Sequence, residues 1–156
     1  MERISFNQLP QGLYNSIFAV ETYLNNTDLD MRLVELLRFR ISQLNHCAYC
    51  LDMHSKEALA HGEDALRLYS LEAWREAPYY SEKERVALEF AEKLTLLNIS
   101  EVSDELFQKM EAHFSRDEIA NLTVVVTQIN TWNRLTDVFR FTPGQYRVLA
   151  QEVSAG

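Results

Sequence analysis

Apolar residues recur every three or four positions along most of this chain, the period of helices that each turn one face to a core. Leu13, Ile17, Val20 and Leu24 mark the first stripe, and Pro10 is placed for the opening turn of that helix. Asp28 or Asp30 is positioned to cap a second helix carrying Leu33, Leu36, Leu37, Ile41 and Leu44. After a short connection at Asn45, a third helix begins at or near Cys47 and runs through Ala60, with Gly62 as its stop signal. Asp64 through Arg75 forms a fourth, with Leu68, Leu71 and Trp74 on one side and Pro78 just beyond. Ser81-Glu82-Lys83-Glu84 has the capping-box form and opens a fifth, bearing Val86, Leu88, Phe90, Ala91 and Leu94. Ser103 caps a short sixth through Phe107 and Met110. Ser115-Arg116-Asp117-Glu118 repeats the capping box before a long apolar segment through Phe139, which Thr142-Pro143-Gly144 ends.

One segment pulls the other way. Leu122 to Thr127 reads Leu-Thr-Val-Val-Val-Thr, and its β-branched residues favour a strand by propensity. The capping box before it and the periodic stretch after it predict a buried helix instead. With no internal repeat, low-complexity tract or linker, the pattern predicts one all-α domain over residues 1–156, a bundle of six to seven helices.

Composition narrows the partners. Nearly half the residues are apolar and only seven are Gly or Pro, which argues against disorder. The net charge of −8, with no Lys/Arg run, predicts no nucleic-acid partner. No stretch approaches the roughly 20 apolar residues of a membrane span. Met1 to Phe6 has neither an apolar signal core nor a small-residue cleavage site, so a cytoplasmic location is expected. In such a reducing compartment, paired cysteines are expected to be catalytic, metal-binding or inert rather than structural disulfides.

The only two cysteines, Cys47 and Cys50, lie three positions apart, with His54 four beyond the second. On a helix these spacings place Cys47 beside Cys50, and Cys50 beside His54. A cysteine in the first turn meets the positive end of the helix dipole, which favours thiolate. His54 is placed to take the proton of Cys50. Thiolate attack on a peroxide gives a sulfenic acid, which the neighbouring thiol converts to a disulfide. An external dithiol then restores the pair by exchange.

Other readings compete. Cys47, Cys50, His54 and His61 match the ligand types of a Cys2His2 zinc site, but two turns of one helix rarely wrap a tetrahedral ion. Inert buried cysteines are another alternative. The spacing alone does not separate a peroxidase from a disulfide reductase. Glu35, set between apolar neighbours on the preceding helix, is a candidate proton carrier whose pKa partial burial would raise toward neutrality. The plainer alternative is a surface ion pair with Arg32 or Arg38, each three residues away.

Glu35, eleven residues, then Cys47-x-x-Cys50-x-x-x-His54 resembles the signature of alkylhydroperoxidase D-like (AhpD-like) proteins of the carboxymuconolactone decarboxylase superfamily. The surrounding Glu35–Arg40, Ser42–His54, Leu68–Glu76 and Asn130–Arg134 stretches are similar as well. The likeness spans about residues 10–145 and is sharpest over 35–76. It implies an all-α homo-oligomer, trimeric or hexameric, reducing organic hydroperoxides or hydrogen peroxide without bound metal or organic cofactor. By position, Cys50 would attack the peroxide, Cys47 would resolve, and His54 with Glu35 would form the proton relay. An external thiol or dithiol, unidentified, would be the electron donor. Tyr49 stands where the family pattern has a relay histidine, and a phenol with an unperturbed pKa near 10 is a poor base at neutral pH. His46 is a candidate substitute, with an exposed loop histidine as the plainer reading. Superfamily members that decarboxylate the lactone lack the cysteine pair, so the resemblance points away from decarboxylation. Two rivals to a peroxidase remain: a thioredoxin-like disulfide oxidoreductase in which Cys47 attacks, and a redox sensor or zinc-stabilised module without turnover.

Overall fold

The computed structural model describes residues 2–148, which form seven α-helices and no strand among the described residues. They are α1 (Leu13–Asn25), α2 (Met31–Leu44), α3 (Ala48–Ala60), α4 (Ala65–Ser70), α5 (Glu82–Thr95), α6 (Asp104–Glu111) and α7 (Arg116–Phe139). The all-α expectation holds. Short 3-10 turns at Phe6–Gln8 and Leu71–Ala73 complete the regular structure.

Side-chain caps set most of the helix starts. Asp30, Cys47, Asp64, Ser81, Ser103 and Ser115 each accept a backbone N–H from the first turn of the helix they precede. Ser81 with Glu84 and Ser115 with Glu118 close full capping boxes. Two boundaries differ from the sequence reading. Pro10 lies ahead of α1, in a turn that ends at Gly12 with a left-handed φ of 83°. The expected helix over 64–75 breaks after Ser70 into a tighter turn, yet Leu68, Leu71 and Trp74 are all buried as the stripe required. α7 ends at Phe139, where the sequence reading placed its end, and Arg140 closes it in a left-handed conformation with φ 57°. Leu122 to Thr127 is helical: Leu122, Val125 and Val126 are buried, so tertiary packing overrides strand propensity.

α2 is the central element and packs against α3, α5 and α7. Its Leu33, Val34, Leu36, Leu37 and Ile41 enter the core, but Glu35, Arg38, Arg40 and Ser42 are buried as well. A helix covered on every side must place its polar groups in internal pairs. One such pair knits the far side of the bundle: Arg40 donates to Glu92 (2.7 Å), which also accepts from Trp74 Nε1 (2.8 Å) and Arg75 (2.7 Å). Glu35 and Arg38 face the opposite direction, toward α1, α3 and α7.

Candidate active site

The turn from α2 to α3 is three residues long. Asn45 caps α2, and its Nδ2 donates to Asn133 Oδ1 (2.8 Å) and Asn130 Oδ1 (3.0 Å) on α7. His46 takes a left-handed φ of 54°, and the Cys47 N–H returns to the Ser42 carbonyl (3.0 Å). Asn133 also donates to Ser42 Oγ (3.2 Å). This lattice fixes the start of α3 against α7 and turns the His46 side chain to solvent, the plainer of its two expectations.

Cys47 is the N-cap of α3 and Cys50 lies in its first turn. The two are joined as a disulfide, with Cα atoms 5.3 Å apart. The Cys50 N–H donates to Cys47 Sγ (3.3 Å), so it is the first sulfur that receives the helix's free donor. Thr136 on α7 places its hydroxyl 3.0 Å from Cys47 Sγ and 3.5 Å from Cys50 Sγ. The same hydroxyl lies within reach of the Trp132 and Asn133 carbonyls (2.9 and 3.0 Å). Disulfide sulfurs carry no hydrogen, so the hydroxyl proton goes either to a sulfur or to a carbonyl.

One turn further along α3, His54 is buried and its Nδ1 lies 2.7 Å from Glu35 Oε2. Glu35 Oε1 accepts from Arg38 (2.7 Å), whose other terminal nitrogen reaches Glu21 Oε2 on α1 (2.6 Å). Glu21 Oε1 in turn accepts from Trp132 Nε1 (2.7 Å). A chain of contacts thus runs His54–Glu35–Arg38–Glu21–Trp132, buried at its first three members and half-buried at Glu21 and Trp132. Burial alone would push the Glu35 carboxyl up, but the charge and hydrogen bonds of His54 and Arg38 outweigh it and hold the pKa at about 2. This corrects the expectation that apolar surroundings would raise it. Glu35 is ionised at neutral pH and is an acceptor only. The hydrogen in the 2.7 Å contact therefore belongs to His54 Nδ1, and in the neutral form of the ring this tautomer carries its lone pair on Nε2. The ion pair with Arg38 exists too, buried rather than at the surface.

Cys50, His54 and Glu35 line a common cavity of about 960 Å³, whereas Cys47 does not. Its walls come from α1, α2, α3 and α7 and from segments near both ends of the chain, through Phe6, Phe141 and Tyr146. Tyr49 lines it as well, its ring 5.6 Å from that of Phe141. Burial, followed by the neighbouring Tyr14 phenol and then Asp52 and Glu2, raises the Tyr49 pKa above the ordinary phenol value, so this side chain does not replace a histidine base. Trp132 reaches the cavity, Asn133 belongs to the turn lattice, and Arg134 is exposed and bonded to Asn130. The zinc reading finds no converging set of three or more His, Cys, Asp or Glu ligands among the described residues.

The sequence reading missed Glu21 and Thr136. Each lies on a helix distant in sequence from the cysteines, and neither carries a local motif. The one available hint for Thr136 was its i, i+4 relation to Trp132, which places the two on one face of α7.

A model of the family described as "Carboxymuconolactone decarboxylase family" matches residues 11–93. The uncharacterized protein YdfG of Bacillus subtilis (strain 168) is 35% identical over 136 residues, covering 86% of this chain and 92% of the relative. A solved structure of a protein of unknown function from Agrobacterium tumefaciens, named as a candidate AhpD antioxidant defence protein, superposes with a TM-score of 0.86 at 34% identity. That match covers 96% of this chain and all of the other. An uncharacterized peroxidase-related protein from Silicibacter sp. TM1040 shares the fold, with a TM-score of 0.75 at 24% identity over 84% of this chain and 70% of its own.

Proposed function

Since the chain belongs to the carboxymuconolactone decarboxylase family, as an AhpD-like member, we propose that it is a thiol peroxidase working through Cys47 and Cys50. The observation that carries this reading is the convergence on one cavity of Cys50, His54 and an ionised Glu35 bonded to His54 Nδ1.

In the reduced enzyme, His54 Nε2 takes the Cys50 thiol proton, and the Glu35 carboxylate offsets the charge the imidazole gains. The Cys50 thiolate attacks the terminal oxygen of the hydroperoxide. An S–O bond forms and the O–O bond breaks. The departing alkoxide, or hydroxide, takes the proton back from His54 and leaves as alcohol or water. The Cys47 thiol then displaces water from the Cys50 sulfenic acid, closing the disulfide. An external dithiol supplies the two electrons that reopen it. The scheme uses Glu35 as a fixed anion rather than a proton carrier, and it needs no bound metal or organic cofactor. We also propose a homo-oligomer, trimeric or hexameric, and a cytoplasmic location. No helix among the described residues is long and apolar enough to cross a membrane.

The test is peroxide consumption with a dithiol reductant. Cys50→Ser is expected to abolish turnover, and a rate equal to that of the parent would remove Cys50 as the nucleophile.

A second reading rests on a different observation. Cys47 Sγ, not Cys50 Sγ, receives the Cys50 N–H and the closer Thr136 hydroxyl, the placement expected of the attacking sulfur in a disulfide oxidoreductase. On that reading, Cys50→Ser traps a mixed disulfide on Cys47 with a substrate thiol and the parent shows no peroxide turnover.

A further inference from the structure

The chemistry of the cavity wall identifies a ligand class more narrowly than the sulfur chemistry does. Aromatic rings form a connected band in the wall of the cavity that Cys50 lines. Phe6 stacks on Phe141 at 4.2 Å between ring centroids, and Tyr14 stacks on Phe18 at 5.4 Å. Phe6 meets Tyr14 edge-on at 5.6 Å, and Trp132 lies 6.0 Å from Tyr14. Two polar edges in this wall are already committed internally: Trp132 Nε1 to Glu21, and the Tyr146 hydroxyl to Glu57. What they leave toward the cavity is ring surface.

The charges of the lining are one-sided. Glu21, Glu35 and Glu57 line it with a single guanidinium, that of Arg38, whose terminal nitrogens are both taken by Glu21 and Glu35; of the two imidazoles, His54 is bonded to Glu35 and His61 lies at the wall. A carboxylate entering here would be desolvated among carboxylates with no guanidinium or ammonium group free to pair with it, a costly placement. Hydrogen peroxide sits at the other extreme. It is too small to contact the rings, so the aromatic surface contributes nothing to its binding. A cavity of about 960 Å³ fits the size range of sites for bulky organic ligands.

We propose that the cavity selects neutral hydroperoxides with an aromatic or similarly bulky apolar group, over hydrogen peroxide and over carboxylate-bearing hydroperoxides. The inference rests on the peroxidase reading for the reaction, but not for the binding. The ring of the substrate packs into the Phe6–Tyr14–Phe18–Trp132 band and presents its terminal peroxide oxygen to Cys50. The alcohol product keeps the same ring and is held by the same wall until it leaves.

Two measurements test it. The first compares kcat/KM for cumene hydroperoxide, its para-carboxylate derivative and hydrogen peroxide with one dithiol donor. Cumene hydroperoxide is expected to exceed each of the others by about tenfold or more, the scale of a lost apolar contact or an unpaired charge. Tyr14→Ala is expected to lower the value for cumene hydroperoxide about tenfold more than the value for hydrogen peroxide. The second measures binding of 2-phenyl-2-propanol, the neutral product, through Trp132 fluorescence, with Trp132→Phe as the control that removes the signal. Saturable binding is expected, with none for the para-carboxylate analogue. Equal kcat/KM for all three peroxides would overturn the proposal and leave the peroxidase reading standing. Product binding without Cys50-dependent turnover would do the reverse. Neither binding nor turnover would overturn both.

Discussion

At the scale of single residues, Glu35 sets the charge of the site, because His54 and Arg38 outweigh the cost of burying it. Its pKa is lower in the folded protein than the ordinary value of 4.5. Its stabilising contribution is therefore complete above that ordinary value and fades as pH falls through it toward about 2. Glu35→Gln is expected to cost about 3 kcal/mol at pH 7, since it leaves buried partners without their anion. In urea unfolding, the gap between parent and variant should narrow as pH drops from about 5 to about 2. A gap that widened on acidification would contradict the assignment. Thr136 carries a second prediction. Thr136→Val removes the hydroxyl beside both sulfurs while nearly preserving shape, and the lost interaction is worth about 1 kcal/mol. We expect reduction of the disulfide by dithiol to slow about fivefold and the Cys47 thiol to titrate higher in the reduced protein. Thr136→Ser should restore both, which a purely structural role for the methyl group would not explain.

At the scale of elements, local chemistry and tertiary packing divide the work unevenly. The capping boxes at Ser81 and Ser115 were legible because the residues that satisfy the orphan N–H groups are three positions apart in sequence. Ser115→Ala should therefore destabilise the protein by about 1 kcal/mol in urea unfolding. The effect reaches the site only through α7, which carries Trp132, Asn133 and Thr136. The helical state of Leu122 to Thr127 was legible only by letting its flanks outvote its own propensity, and burial of Leu122, Val125 and Val126 gives the physical reason. The break after Ser70 was not legible: the apolar stripe of Leu68, Leu71 and Trp74 is satisfied both by a continuous helix and by one that tightens into a 3-10 turn.

At the scale of the whole molecule, the site is a product of assembly. Four helices contribute to the chain from His54 to Trp132, and segments near both ends of the polypeptide close the aromatic wall. The resemblance to AhpD-like proteins adds an expectation beyond the monomer. Sedimentation equilibrium should give three or six times the 18.2 kDa of one chain, and a mass of 18.2 kDa would exclude the oligomer. Tyr69, Ile99 and Leu97 remain well exposed on the isolated chain, and each is available for such a contact.

The sequence by itself determined the helical bundle, most of its helix starts, and the spacing of Cys47, Cys50 and His54, since each depends on residues within about one turn of one another. It also carried the family pattern that pairs Glu35 with them. Tertiary structure alone decided that Glu35 is an anion at neutral pH and that Glu21 extends its network. It also decided that Thr136 meets both sulfurs and that rings from near the two ends of the chain line the same cavity as Cys50. The reason is that the pKa of a buried group, and the shape of a cavity, are set by whatever packing brings within a few ångströms, and those neighbours lie up to about a hundred residues away along the chain.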